Sequence, residues 1–201
     1  MKTIGRSELP QRGAPLGGGF YTAEFQINGL FFAMVTAGKE AEIKGEWGKY
    51  GKKIEGAGSF VDGLANTDAM VAAGLEIAIS VRAMRFGGQD DWAIPARNQQ
   101  EAQYRNLKPT TQENYCSYLD GYNPDSVPAG GLYTEENPLQ TTIEAFREGG
   151  AEAFAAAWYW SSTQCSASSA FVQFFDDGRQ DYDGKDGSYD VRPVRMIQII
   201  N

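Results

Sequence analysis

The sequence predicts a single-domain α+β protein with short antiparallel strands, two main helices and long ordered loops. Three observations carry that prediction. Asn28-Gly29 separates two apolar runs, FYTAEFQI and LFFAMVTA. From Trp158 to Arg195 the chain reads WYWSSTQCSASSAFVQFFDDGRQDYDGKDGSYDVRPVR, in which aromatic clusters alternate with Ser, Gln, Asp and Gly, as in short strands joined by tight turns. Between these regions lie two stretches with helical signals. A chain of 201 residues that is 42% hydrophobic can bury one good core, and its 24 glycines suit a loop-rich fold better than a helical bundle.

Residues 1–19 carry Pro10, Pro15 and three consecutive glycines, and predict an extended arm outside the core. Such an arm is either loose or docked on a neighbouring subunit; the domain proper is 20–201. The Asn-Gly pair predicts a type I′ turn, which needs positive φ at both central residues. Strand alternation then puts Tyr21, Ala23, Phe25 and Ile27 on one apolar face. The stretch 38–58 is charged, with Trp47 and Tyr50 as expected anchors and Lys44, Lys49, Lys52 and Lys53 as a solvated loop or strand edge. Thr67 is the expected cap of a helix reaching about Arg85, ended by Gly87-Gly88. A second helix is expected over 98–107, stopped by Pro109, with Tyr104 and Leu107 on one face. The long loop 109–138 is rich in tyrosine (Tyr115, Tyr118, Tyr122, Tyr133), which argues for an ordered insertion lying on the C-terminal sheet. A short helix over 141–148 leads into strands at 158–163, 169–175 and 189–197.

Composition excludes several functions. A formal charge of −8, from 26 acidic and 18 basic residues, argues against a nucleic-acid binder. No apolar run is long enough to insert in a membrane, and the N-terminus lacks a signal-peptide core, so synthesis in a host cytoplasm is expected. Cys116 and Cys165 match no metal or redox spacing and read as free thiols. With no histidine in the chain, Ser-His-Asp and Cys-His chemistry are out of reach. The acidic turn from Asp176 to Asp186 fails the EF-hand pattern: counted from Asp181, position 5 is Lys185 and position 12 is Arg192. Its acids read as solvated, with a calcium site of another design left open. No cofactor is expected.

Several of these stretches carry a resemblance. YWSST, the apolar strand ending in Phe-Asp-Asp-Gly, and VRPVR resemble the Lcl C-terminal-domain family. So do GGQDDWAIPAR (Gly87–Arg97), GGGFYTAEF, EGAGSFVDGLANTDAM and NYCSYLDG, in order over nearly the whole chain. The resemblance implies a C-type-lectin-like fold related to formylglycine-generating enzymes, in proteins frequent in bacteriophages and prophages. The paired copper-binding cysteines of the enzymatic relatives have no counterpart here, so no enzyme activity is carried over. The resemblance also implies that residues between YWSST and VRPVR face solvent, in a region that some phages vary to change target. In this sequence those are Gln164, Ser166, Ser168, Ser169, Val172, Phe174, Asp176, Asp177, Gln180 and Tyr182.

Alternation along 169–175 puts Phe171, Gln173 and Phe175 on one face and Ala170, Val172 and Phe174 on the other. The resemblance makes the first the core face, so Phe174 is expected to stand outward among polar residues, as in a recognition patch. An ordinary strand covered by the Tyr-rich insertion is the competing expectation. Trp158, Tyr159 and Trp160 read as core, and Arg192 and Arg195 as structural partners of Asp90 and Asp91. The expected function is a non-enzymatic virion component with a lectin-like surface, either a receptor-binding protein at the tail or fibre for a host glycan or protein, or a capsid-decoration or tail-assembly protein docked on other virion proteins. In both roles it would be a homo-oligomer or part of a larger assembly.

Overall fold

The computed structural model describes residues 2–117 and 120–200; Tyr118, one of the tyrosines of the 109–138 insertion, lies outside the described residues. The N-terminal segment is not an arm. Strand β1 (Thr3–Gly5) pairs in parallel with the last strand, β11 (Val194–Ile200), and β2 (Pro15–Leu16) pairs antiparallel with β3 (Gly19–Ile27). Ile4, Leu9 and Leu16 supply the reason, because all three pack against the main apolar core. The glycine run makes the sharp entry into β3: Gly18 has φ +85° and lies so close to Gly87 that a Cβ there would meet a backbone oxygen at 2.4 Å.

The Asn-Gly hairpin forms as its residues predict. Asn28 and Gly29 have φ of 51° and 80°, and β4 (Leu30–Thr36) pairs back on β3 with Leu30 opposite Ile27. The expected face does not run the length of β3. A bulge falls between Tyr21 and Ala23, and Thr22, which is buried, hydrogen-bonds the Thr36 hydroxyl at 2.6 Å. One extra residue reverses the alternation. Tyr21 therefore joins Ala33 and Val35 in the main core, whereas Ala23 and Phe25 join Phe32 and Met34 in a second cluster. The sheet order is β1-β11-β4-β3-β2, with the two-residue strand β6 (Ser126–Val127) also on β3.

A second sheet has the order β5-β10-β7-β8-β9, formed by β5 (Ile43–Glu46), β7 (Trp158–Gln164), β8 (Ser169–Phe174), β9 (Gln180–Gly184) and β10 (Ser188–Val191). The expected strand over 189–197 is two strands, β10 and β11, in different sheets. They part at Arg192-Pro193, where proline offers no amide to a ladder. Lys44 lies on the edge strand β5, and Trp47 is fully buried, but the other expected anchor, Tyr50, is 67% exposed.

The expected helix from Thr67 to Arg85 is two helices, α1 (Gly63–Ala72) and α2 (Glu76–Ala83), bent by 118° at Gly74, whose φ is +79°. The cap is Asp62, which accepts from the Ala65 amide at 3.0 Å. Thr67 lies inside α1, buried, donating to the Gly63 carbonyl at 2.6 Å and accepting from the Ile94 amide at 3.0 Å. Among the described residues no single helix is long and apolar enough to cross a membrane.

Helix α3 (Arg97–Leu107) contacts β3 of the first sheet and β7 and β8 of the second. It is strongly polar in sequence yet buried over most of its surface. Gln100 donates to the carbonyls of Tyr159 and Trp160, and Gln103 to the Thr36 hydroxyl and the Arg192 carbonyl. Tyr104 and Leu107 share an aromatic cluster with Tyr133, Phe146, Phe154, Tyr159 and Phe175. The described residues of the insertion 109–138 lie against this helix and the β8–β9 turn. Buried Glu101 holds it, accepting from Arg105 at 2.8 Å, Tyr133 at 2.9 Å and Asn123 at 2.6 Å. Beyond it, the short helix expected over 141–148 is a single 3-10 turn, Glu144–Phe146.

Candidate recognition surface

Residues of the quoted motifs converge, but inward. In YWSST, Ser161, Ser162 and Thr163 are fully buried. The Ser162 amide donates to the Pro95 carbonyl, the Thr163 hydroxyl donates to the Ser59 carbonyl, and the Thr163 hydroxyl accepts from the Arg97 amide. Asn66 donates to the Ser162 hydroxyl at 3.2 Å. Arg195 makes the bidentate pair with Asp91, at 2.6 and 2.8 Å. Arg192 does not reach Asp90 or Asp91; it pairs with Glu42 at 2.7 Å and lies over the Phe154 ring at 4.4 Å. Arg192 lies in the break between β10 and β11 and Arg195 on β11, which is why their partners differ.

The ten residues expected on one surface separate into several places. Gln164 is a clamp: its side chain accepts from the Ile54 amide and donates to the Ile54 carbonyl. Ser166, Ser168 and Ser169 form the β7–β8 turn, where the Ser166 hydroxyl is 2.8 Å from that of Ser169 and accepts from the amides of Ser168 and Ser169. Val172 is not outward but 4% exposed and in the main core. Both faces of β8 are covered at its centre, with Ala170 and Val172 buried on one side and Gln173 on the other. The carbonyls of Asp176 and Asp177 secure the insertion, accepting from the Thr110 hydroxyl and the Tyr115 amide. Gln180 accepts from Arg97 and from the Gly121 amide.

Phe174 is half-buried, on the same side of β8 as the buried Val172 and beside a wholly buried Phe175, and its ring packs at a tilt against Trp158 with centroids 5.1 Å apart. Phe171 departs from expectation. It is half-buried rather than core, edge-on to Phe60 at 5.3 Å, with the Arg97 guanidinium 5.6 Å from its ring. Tyr182, opposite Phe171 on the edge strand β9, is 60% exposed.

Cross-strand register shows which side chains share the Trp160 side of the second sheet, whose centre packs into the main core and whose margin at Trp158, Phe174 and β9 is partly exposed. Trp158 lies opposite Phe174, Trp160 opposite Val172, and Val172 opposite Asp181. These side chains and Asp183 therefore stand on one side, with the Tyr189 ring tilted against that of Trp160 at 4.9 Å between centroids. The result is a cleft of about 230 Å³ lined by Trp158, Val172, Asp181, Tyr182, Asp183 and Tyr189. Arg179 borders it, paired with Asp181 at 2.9 Å and lying over the rings of Trp158 at 5.9 Å and Tyr115 at 5.1 Å. The Tyr189 hydroxyl donates to Asp183, which together with burial pushes the tyrosine up to about 12.

The sequence places Trp158 in the core, Tyr189 in a strand over 189–197, and Asp181 and Asp183 in a solvated acidic turn, so none of the four is a candidate there; β9 itself lies in that turn. The alternation in RQDYDG was the available signal.

The edge strand is also blunted. The amides of Tyr182 and Gly184, which point away from β8 in the antiparallel pattern, donate to the carboxylates of Asp181 and Asp183 at 2.9 and 2.7 Å. The two cysteines, Cys116 and Cys165, are both exposed and free. Among the described residues no group of three or more His, Cys, Asp or Glu side chains is placed to hold a metal ion.

Compared with models of known protein families and with curated proteins, the chain has no match.

Proposed function

We propose that this chain is a non-enzymatic virion component of a bacteriophage or prophage, with a C-type-lectin-like fold. Its partly exposed sheet margin around Trp158 and Phe174 recognises a glycan or protein on the host surface. The observation that supports this most is the half-exposed aromatic pair Trp158–Phe174, continued by Arg179, Tyr115 and Tyr189 and bordered by carboxylates. Aromatic faces edged by hydrogen-bonding groups suit a recognition surface. The resemblance of the motifs to phage members of the Lcl C-terminal-domain family gives the virion setting.

A structural docking role has its own observation. Leu30 and Phe31, beside the turn of the β3–β4 hairpin, are exposed at 50% and 37%. That apolar tip suits contact with a neighbouring virion protein. The two roles separate in one experiment, by measuring attachment of the purified protein to bacterial envelope fractions and its incorporation into particles. Receptor binding predicts that Phe174→Ala abolishes attachment and leaves incorporation intact. Docking predicts that Leu30→Asp abolishes incorporation and that the protein alone binds no envelope fraction.

A further inference from the structure

The cleft beside Trp158 has a definite electrostatic character. It is lined by the rings of Trp158, Tyr182 and Tyr189, by Val172, and by the two carboxylates of β9, of which Asp183 is exposed. Asp181 is matched by Arg179. Asp183 accepts from the Tyr189 hydroxyl and from its neighbouring Gly184 amide, and among the described residues it has no cationic partner. Lys44 is paired with Asp190, at 3.7 Å, and Asp190 is one residue out of phase with Tyr189 and so on the opposite side of the sheet. The cleft thus holds one uncompensated negative charge among aromatic rings. Each carboxylate oxygen has a second lone pair to offer.

We propose that this cleft is a subsite for an organic ammonium group, carried by an amino sugar or a choline-type headgroup. A cation over an aromatic face gains from the ring quadrupole, and the chain already lays its own guanidinium over Trp158. The negative rim repels sialate, uronate and phosphate groups. The ligand's carbon skeleton packs on Trp158 and Val172 while its ammonium is directed to Asp183. This subsite rests on reading the sheet face as the recognition surface.

The test is titration of the purified full chain with glucosamine, choline, glucose and glucuronate, read by tryptophan fluorescence. Glucosamine or choline should bind at least about tenfold more tightly than glucose, with glucuronate weakest. Binding of glucosamine alone assigns an amino sugar; binding of choline as well assigns the bare ammonium. Asp183→Asn keeps the shape and should bring glucosamine to within about twofold of glucose. Equal binding of glucose and glucosamine, or no ammonium binding up to about 100 mM, overturns the proposal. Envelope attachment tells this failure from that of the wider reading. If Phe174→Ala abolishes attachment while the ammonium compounds do not bind, the subsite is wrong and the recognition surface stands. If Phe174→Ala leaves attachment unchanged, the recognition surface itself is wrong.

Discussion

The pair α1–α2 and the helix α3 invert the usual relation between hydropathy and depth. The apolar pair GLANTDAMVA and EIAISVRA lies on one side of the main core, with Ile79 44% exposed. The polar RNQQEAQYRNL runs between two sheets and is buried from Asn98 to Tyr104. Depth in α3 is stabilised by matched hydrogen bonds rather than by apolar area. Gln100 and Gln103 donate to backbone carbonyls and a hydroxyl of the two sheets, Gln99 accepts from the Gly63 and Ala96 amides, and the one buried carboxylate is met by three donors. The lesson is that a buried polar element stands when its partners are complete and fails when one is removed, whereas an apolar element tolerates change at its margin.

That contrast can be broken most sharply at Arg105. Arg105→Met leaves Glu101, whose pKa burial already raises, without its cation, and should cost about 3–5 kcal/mol in urea unfolding. A loss below about 1 kcal/mol would mean the network does not carry the helix. Gln100→Leu is nearly isosteric and more apolar, yet it removes the side-chain donor to two carbonyls, so a loss of about 1–3 kcal/mol is expected. A gain in stability would show that hydropathy rules here after all.

Lys185 extends the comparison to a cation with no carboxylate. It is buried over the Trp47 ring, donating to the Lys52 carbonyl and the Gln164 amide oxygen, and burial lowers its pKa from 10.5 to about 8. Between those values the unfolded chain binds a proton that the folded chain lacks, so this group's contribution makes stability rise with pH across the window and fall as pH drops through about 8. Thermal unfolding from pH 7 to 10 should show that rise, and Lys185→Met should flatten it. The smallest effect belongs to the apolar pair: Ile79→Ser should shift stability by no more than about 0.5 kcal/mol. A larger loss would place that face under a partner.

What the sequence made legible follows the same division. Asn28-Gly29 fixed a hairpin because its turn is a local backbone demand, met by φ of 51° and 80°. The strands at Trp158 and Ser169, the helix at Arg97 and the Arg195–Asp91 pair were also readable, each resting on short-range pattern or on obvious charge complementarity. The bulge at Thr22 and the break at Gly74 were not, because a single inserted or left-handed residue barely alters the pattern around it. At the candidate site, Phe174 is half-buried and Val172, on the same side of the strand, is buried, since alternation tells which residues share a side and not how much covers that side. Trp158 and Tyr189 became neighbours of the acids only through pairing across four strands.

The parallel pairing of β1 with β11 has a mechanical consequence. Thr3 lies beside Gln198 and Gly5 beside Ile200, with both strands running the same way. A pull applied to the two ends in opposite directions draws these strands past each other along their length, so their hydrogen bonds bear load together instead of opening one at a time. The molecule is therefore built to resist stretching between its ends better than peeling at one edge. Tension between the two ends would be met first by this three-residue clasp.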